Sequence, residues 1–125
     1  MKIYTFLSVV IILTGCSTVN SYQKVMAKKD IEGYAIASCL TYQESPYLQD
    51  QGDAWASAIV QRMEGSIEIL SDISEIIKQE VSKGEMAVVR SESVNAKDKA
   101  LPVLYCNEII YKQPVQSALQ KLQTK

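Results

Sequence analysis

Residues 64 to 85 read EGSIEILSDISEIIKQEVSKGE, and their spacing decides the fold class. Ile67, Leu70, Ile73, Ile77 and Val81 recur at intervals of three and four, the period of one helical face. Ser66 is placed to cap the helix N-terminus, and Gly84 stands where a glycine ends a helix. The same segment carries a second pattern. Glu64, Glu68, Asp72 and Glu75 follow one another at four, four and three, so one side of the helix is a row of carboxylates. Like charges at this spacing cost a helix a few tenths of a kcal/mol per pair, so helix stability alone does not select the row. A basic partner surface accounts for it. The plain alternative is a solvated outer face, with Glu64 and Glu68 favoured by the helix N-terminus. A glycosidase pair needs carboxylates opposed across a cleft, which a single exposed stripe does not supply.

Toward the C-terminus, residues 86 to 99 form a polar stretch that reads either as a loop or as a loop holding a short extended piece at MAVV. A further helix is expected from about Lys97 or Asp98, carrying Leu101, Leu104, Tyr105, Cys106, Ile109 and Ile110, with Pro102 tolerated in its first turn. Pro114 opens a last helix, PVQSALQKLQTK. Toward the N-terminus, a helix is expected over about Leu48 to Met63, with Leu48, Trp55, Ile59 and Met63 on one face and Trp55, the single tryptophan, as a core anchor. Before it, Ile31, Tyr34, Ala35, Ser38, Cys39 and Tyr42 keep helical spacing from an N-cap at Asp30 up to Pro46. Residues 16 to 29 lack strong periodicity and read as a tether. The expected fold is all-α, a small bundle of four to five helices with one disulfide, occupying residues 30 to 125.

Composition removes most enzyme designs. The chain has no histidine, which excludes serine–histidine and cysteine–histidine nucleophile pairs and histidine metal sites. Its five glycines are isolated, so no phosphate-binding loop is present. A formal charge of −1 and the absence of a basic, aromatic-interleaved stripe argue against nucleic acid. No catalytic residue, metal site or cofactor is expected.

The first fifteen residues have one cation, Lys2, then an apolar run, then Thr14 and Gly15 before Cys16. The run is shorter than the roughly 20 apolar residues that span a bilayer, and it has the layout of a secretory signal. LTGC, residues 13 to 16, resembles the bacterial lipobox, which implies that Cys16 is acylated and begins the mature chain. An ordinary signal cut nearby, leaving Cys16 free, is the alternative. Ser17 is not the aspartate of an inner-membrane retention signal, so lipid anchoring at the periplasmic side of the outer membrane is expected. In that oxidising compartment Cys39 and Cys106 read first as a disulfide, two buried free thiols being the alternative. Of seven tyrosines, Tyr34, Tyr42, Tyr105 and Tyr111 are expected to pack around the cysteines with their hydroxyls at the rim, while Tyr47, beside Pro46, is freer to meet a partner.

The stretches YAIASCLTY, SAIVQRMEGSIEILSDISEIIKQEV and LYCNEIIYKQPVQSAL, together with a signal peptide, resemble the periplasmic immunity proteins that protect bacteria from type VI secretion amidases. The similar region covers about residues 31 to 122. The resemblance implies a helical, disulfide-linked inhibitor, in some cases a homodimer, that binds a peptidoglycan-cleaving amidase and blocks its catalytic cleft. The matching inhibitory positions are the turn from Arg62 through Glu64 to Ser66 and the outward face of the following helix, Glu68, Asp72 and Glu75. The lipobox and the lack of a long glycine-rich loop depart from that pattern. A structural or accessory envelope lipoprotein explains the lipobox and the cysteines equally well, and the carboxylate row less well.

Overall fold

The computed structural model describes residues 18 to 63, 68 to 93 and 95 to 123, the first ten of these through their backbone alone. The signal segment, Cys16, and the cap expected around Glu64 and Ser66 lie outside the described residues. Five helices, α1 (Thr18–Thr41), α2 (Pro46–Arg62), α3 (Glu68–Val81), α4 (Pro102–Glu108) and α5 (Gln113–Gln123), enclose one core, with a 3-10 turn at Ile109–Tyr111 between the last two. Among the described residues the fold is all-α apart from a small hairpin of two two-residue strands, β1 (Val88–Val89) paired antiparallel with β2 (Lys99–Ala100).

The centre of the fold is α1, which packs on each of the other four helices and on the 3-10 turn. Ile31, Ala35, Cys39 and Leu40 meet Leu70, Ile73 and Ile77 of α3, Tyr105 and Cys106 of α4, Ile109 and Ile110, and Val115 and Leu119 of α5 in a single buried cluster. A fully buried isoleucine such as Ile59, Ile73, Ile77 or Ile109 contributes about 2 kcal/mol over its exposed state. Cys39 and Cys106 are bonded, with Cα atoms 5.4 Å apart, so the disulfide ties the central helix to α4. Buried Gln43 donates through Nε2 to the Cys39 carbonyl at 2.9 Å and lies 3.4 Å from Cys106 Sγ, covering the bridge with a polar lid.

Several local expectations change. Asp30 is not a cap, because α1 runs unbroken from Thr18 through the stretch read as a tether. That stretch contains no proline or glycine to stop a helix. Asp30 is instead a buried acceptor for Arg62, at 3.0 Å from Nε and 2.6 Å from Nη2. α4 starts at Pro102 and not at Lys97 or Asp98. The residue before a proline is pushed to extended backbone, and Leu101, at φ −119, completes the hairpin by donating its N–H to the Ala87 carbonyl. The extended piece sits at Val88–Val89, within MAVV. Gly84, at φ 73, ends α3 as expected.

Trp55 is not a core anchor: it is 39% exposed. α2 packs chiefly on α1, and its buried positions are Gly52 and Ile59, so the indole lies over the seam beside Gly33 with one edge in solvent. The tyrosines also divide. Tyr34 packs half-buried on the core, Tyr42 is exposed and shares a hydrogen bond with Ser74, and Tyr111 is 65% exposed. Tyr105 is buried, and its hydroxyl has no hydrogen-bond partner among the described residues, so it does not reach the rim.

Candidate functional site

α3 sorts its side chains by period. Leu70, Ile73, Ile77 and Glu80 point into the bundle, while Glu68, Asp72 and Glu75 are exposed on the opposite side. The expected carboxylate row therefore exists over these three positions, and Glu75 accepts a hydrogen bond from Gln79 one turn on. Glu64 and Ser66 lie outside the described residues. Arg62 is committed to Asp30 by the ion pair already described, which gives it a role in joining α2 to α1. Tyr47, 70% exposed in the first turn of α2, stands open to solvent on a different helix from the row.

Alongside the row runs a cleft of ≈ 500 Å³ between α3 and α5. Asp72, Glu75 and Ile76 form one wall, and Pro114, Ser117, Ala118, Lys121 and Leu122 form the other. Reading residue by residue found the α3 wall and missed the α5 wall. The signal for the latter is present: Pro114, Ala118 and Leu122 recur at four, one row away from the buried Val115 and Leu119. A smaller hollow of ≈ 90 Å³ lies between α1 and α5, lined by Lys28, Glu32, Tyr111 and three glutamines of α5 among others.

A second charged group was not anticipated. The buried Glu80 carboxylate at the end of α3 accepts from Lys83 at 2.6 Å and from Lys112 at 3.2 Å, and Lys112 also reaches Glu85 at 2.7 Å. The hydrogen bond from Lys83 holds the Glu80 carboxyl below the usual carboxylate range, outweighing the opposing effect of burial, with Lys112 acting in the same direction. Lys112 is raised, first by its hydrogen bond to Glu85. Its ammonium lies 5.3 Å above the Tyr105 ring, and burial pushes the Tyr105 hydroxyl up. This group clamps the end of α3 to the α4–α5 turn. It has the geometry of a structural ion-pair network, with both carboxylates matched to ammonium groups.

Among the described residues no cluster of potential metal ligands occurs, and no helix is long and apolar enough to cross a membrane. No family model, curated protein or solved structure matches the chain.

Proposed function

We propose that this chain is an immunity protein: a lipid-anchored inhibitor that binds a type VI secreted peptidoglycan amidase at the periplasmic side of the outer membrane and protects the cell that makes it. The observation that carries the reading is the row of Glu68, Asp72 and Glu75, exposed along α3, with Asp72 and Glu75 on the wall of an open cleft. Such a face costs helix stability and is suited to a basic docking surface. The histidine-free sequence fits a protein that acts by binding and has no chemistry of its own. The disulfide supports work in an oxidising compartment. Cys16, if acylated with more than one chain, anchors the domain stably where a single chain would not.

The test uses the cysteine–histidine amidase that this reading expects to be encoded beside the chain. The full chain should inhibit its cleavage of peptidoglycan near one-to-one. The combined variant Glu68→Gln, Asp72→Gln and Glu75→Gln should fold normally and lose inhibition, chiefly through slower association at low salt. A neighbouring amidase that the wild-type chain leaves fully active overturns the reading. Unchanged association by the triple variant makes the α3 face a solvated surface and moves the search to Tyr47 and the hairpin.

A further inference from the structure

We propose that the α3–α5 cleft is a docking groove for a helical segment of a partner protein that presents an apolar side chain between lysine or arginine residues. The inference rests on the reading of the α3 face as an interface, and adds what the partner must carry.

The groove exists because α5 is apolar over more of its circumference than the core covers. Val115 and Leu119 are buried, which leaves Pro114, Ala118 and Leu122 as a second row at the groove edge. At 1.5 Å per residue that row extends about 12 Å, two turns of an incoming helix. Ile76, half-buried on α3, completes an apolar floor. Floor and carboxylates together select the occupant. A purely apolar helix would cover Asp72 and Glu75 and strip them of water without pairing them, which is costly. An acidic helix would meet like charge along α3. A segment with a leucine-like side chain for the floor and cations on its α3 side satisfies both demands, by the helix-in-groove mode.

Two synthetic peptides test this, each about 18 residues so that a helix is attainable. Both carry leucine at intervals of three and four; one has lysine at the flanking positions and the other glutamate. Each is titrated into the ¹⁵N-labelled full chain and followed through amide shifts. The lysine peptide should shift Ile76, Ser117 and Ala118 saturably, with affinity falling about tenfold on raising salt, since exposed charges are then screened. The glutamate peptide should leave those amides unmoved. Ala118→Trp fills the groove while keeping every charge, and should weaken the lysine peptide about tenfold or more. Ser117→Trp, on the same wall of the groove, does the same where the first variant disturbs the fold. Equal shifts from both peptides, shifts confined to another surface, or no shift at all overturns the proposal. Because no amidase takes part, this result is separate from the outcome of the inhibition assay.

Discussion

Gly52→Ala and Gly33→Ala should change stability in opposite directions, although both glycines lie inside helices at the same α1–α2 seam. A Cβ at Gly52 would stand 2.7 Å from the Ala37 carbonyl oxygen, 2.8 Å from the Thr41 nitrogen and 2.9 Å from Thr41 Cγ2. The first two are backbone atoms four residues apart in α1, so the methyl would press on one helical turn that cannot rotate away. Carbon contacts are most favourable at about 3.5 to 4 Å, so the helices must part by several tenths of an ångström. Overpacking of this kind costs about 1 to 3 kcal/mol, and a wedge against backbone belongs at the upper end. Parting the seam also weakens packing around the fully buried Ile59. Against this, alanine is favoured over glycine in a helix by about 1 kcal/mol. The net for Gly52→Ala is therefore a loss of about 2 kcal/mol, or roughly 10 °C in Tm for a domain of this size. At Gly33 the nearest atoms are Ile59 Cδ1 at 3.3 Å and Trp55 Cζ2 at 3.6 Å. Both are side-chain atoms, and Cδ1 is a flexible end that can yield. The propensity gain then prevails, and Gly33→Ala should be neutral or up to about 1 kcal/mol more stable. Urea unfolding with the disulfide intact, read by helical circular dichroism, gives both values. If Gly52→Ala unfolds at or above the wild-type midpoint with an unchanged slope, the close α1–α2 approach is wrong.

Replacing Cys39 and Cys106 together by alanine should cost about 4 kcal/mol, the chain-entropy value for a separation of 67, and non-reducing peptide mapping of the wild type should recover the linked pair. Tyr105→Phe should be neutral or stabilising by up to about 1 kcal/mol in the same urea assay, since it deletes a buried hydroxyl that has no partner among the described residues. Glu80 sets an acid limit: its folded-state pKa is lowered from an ordinary 4.5, so its contribution is complete above about pH 4.5 and is lost as pH falls through the lower folded value. Glu80→Gln should accordingly cost about 1 to 2 kcal/mol at neutral pH and flatten the stability profile below pH 4.5, as followed by urea midpoints across pH.

The helices were legible where one chain segment supplies both the pattern and its punctuation. α3 has a regular apolar stripe and a terminal glycine, and it ends where Val81 and Gly84 indicate. α1 was harder, because periodicity reports burial and not helicity. The absence of breakers before Asp30 was the better guide to where that helix begins. Trp55 failed for a related reason. Size and hydrophobicity favour burial, yet a helix with one main neighbour has few buried positions, and at this seam small residues hold them: Gly33 and Gly52 let the backbones approach, leaving the indole outside. Two isolated glycines, Gly33 and Gly52, nineteen residues apart, carry no sign of their meeting until the helices are docked.

The site divides along the same line. The carboxylate row needs only the pitch of one helix, so Glu68, Asp72 and Glu75 were readable in advance. The groove beside them needs α5, some forty residues later, and its existence depends on which of α5's two apolar rows the core takes. Glu80 shows what a finer reading of the same helix contains. Three residues beyond Ile77, it falls on the apolar stripe, a position where an unpaired carboxylate is not tolerated. A carboxylate there implies cations brought by other parts of the chain, and Lys83 and Lys112 are those cations. The same residue type thus has two physical roles on α3. On the stripe, glutamate is neutralised internally and fastens the helix to the α4–α5 turn. Off the stripe, Asp72 and Glu75 are exposed on the wall of a cleft, and that contrast in burial within a single helix makes the outer face the surface on which to look for a partner.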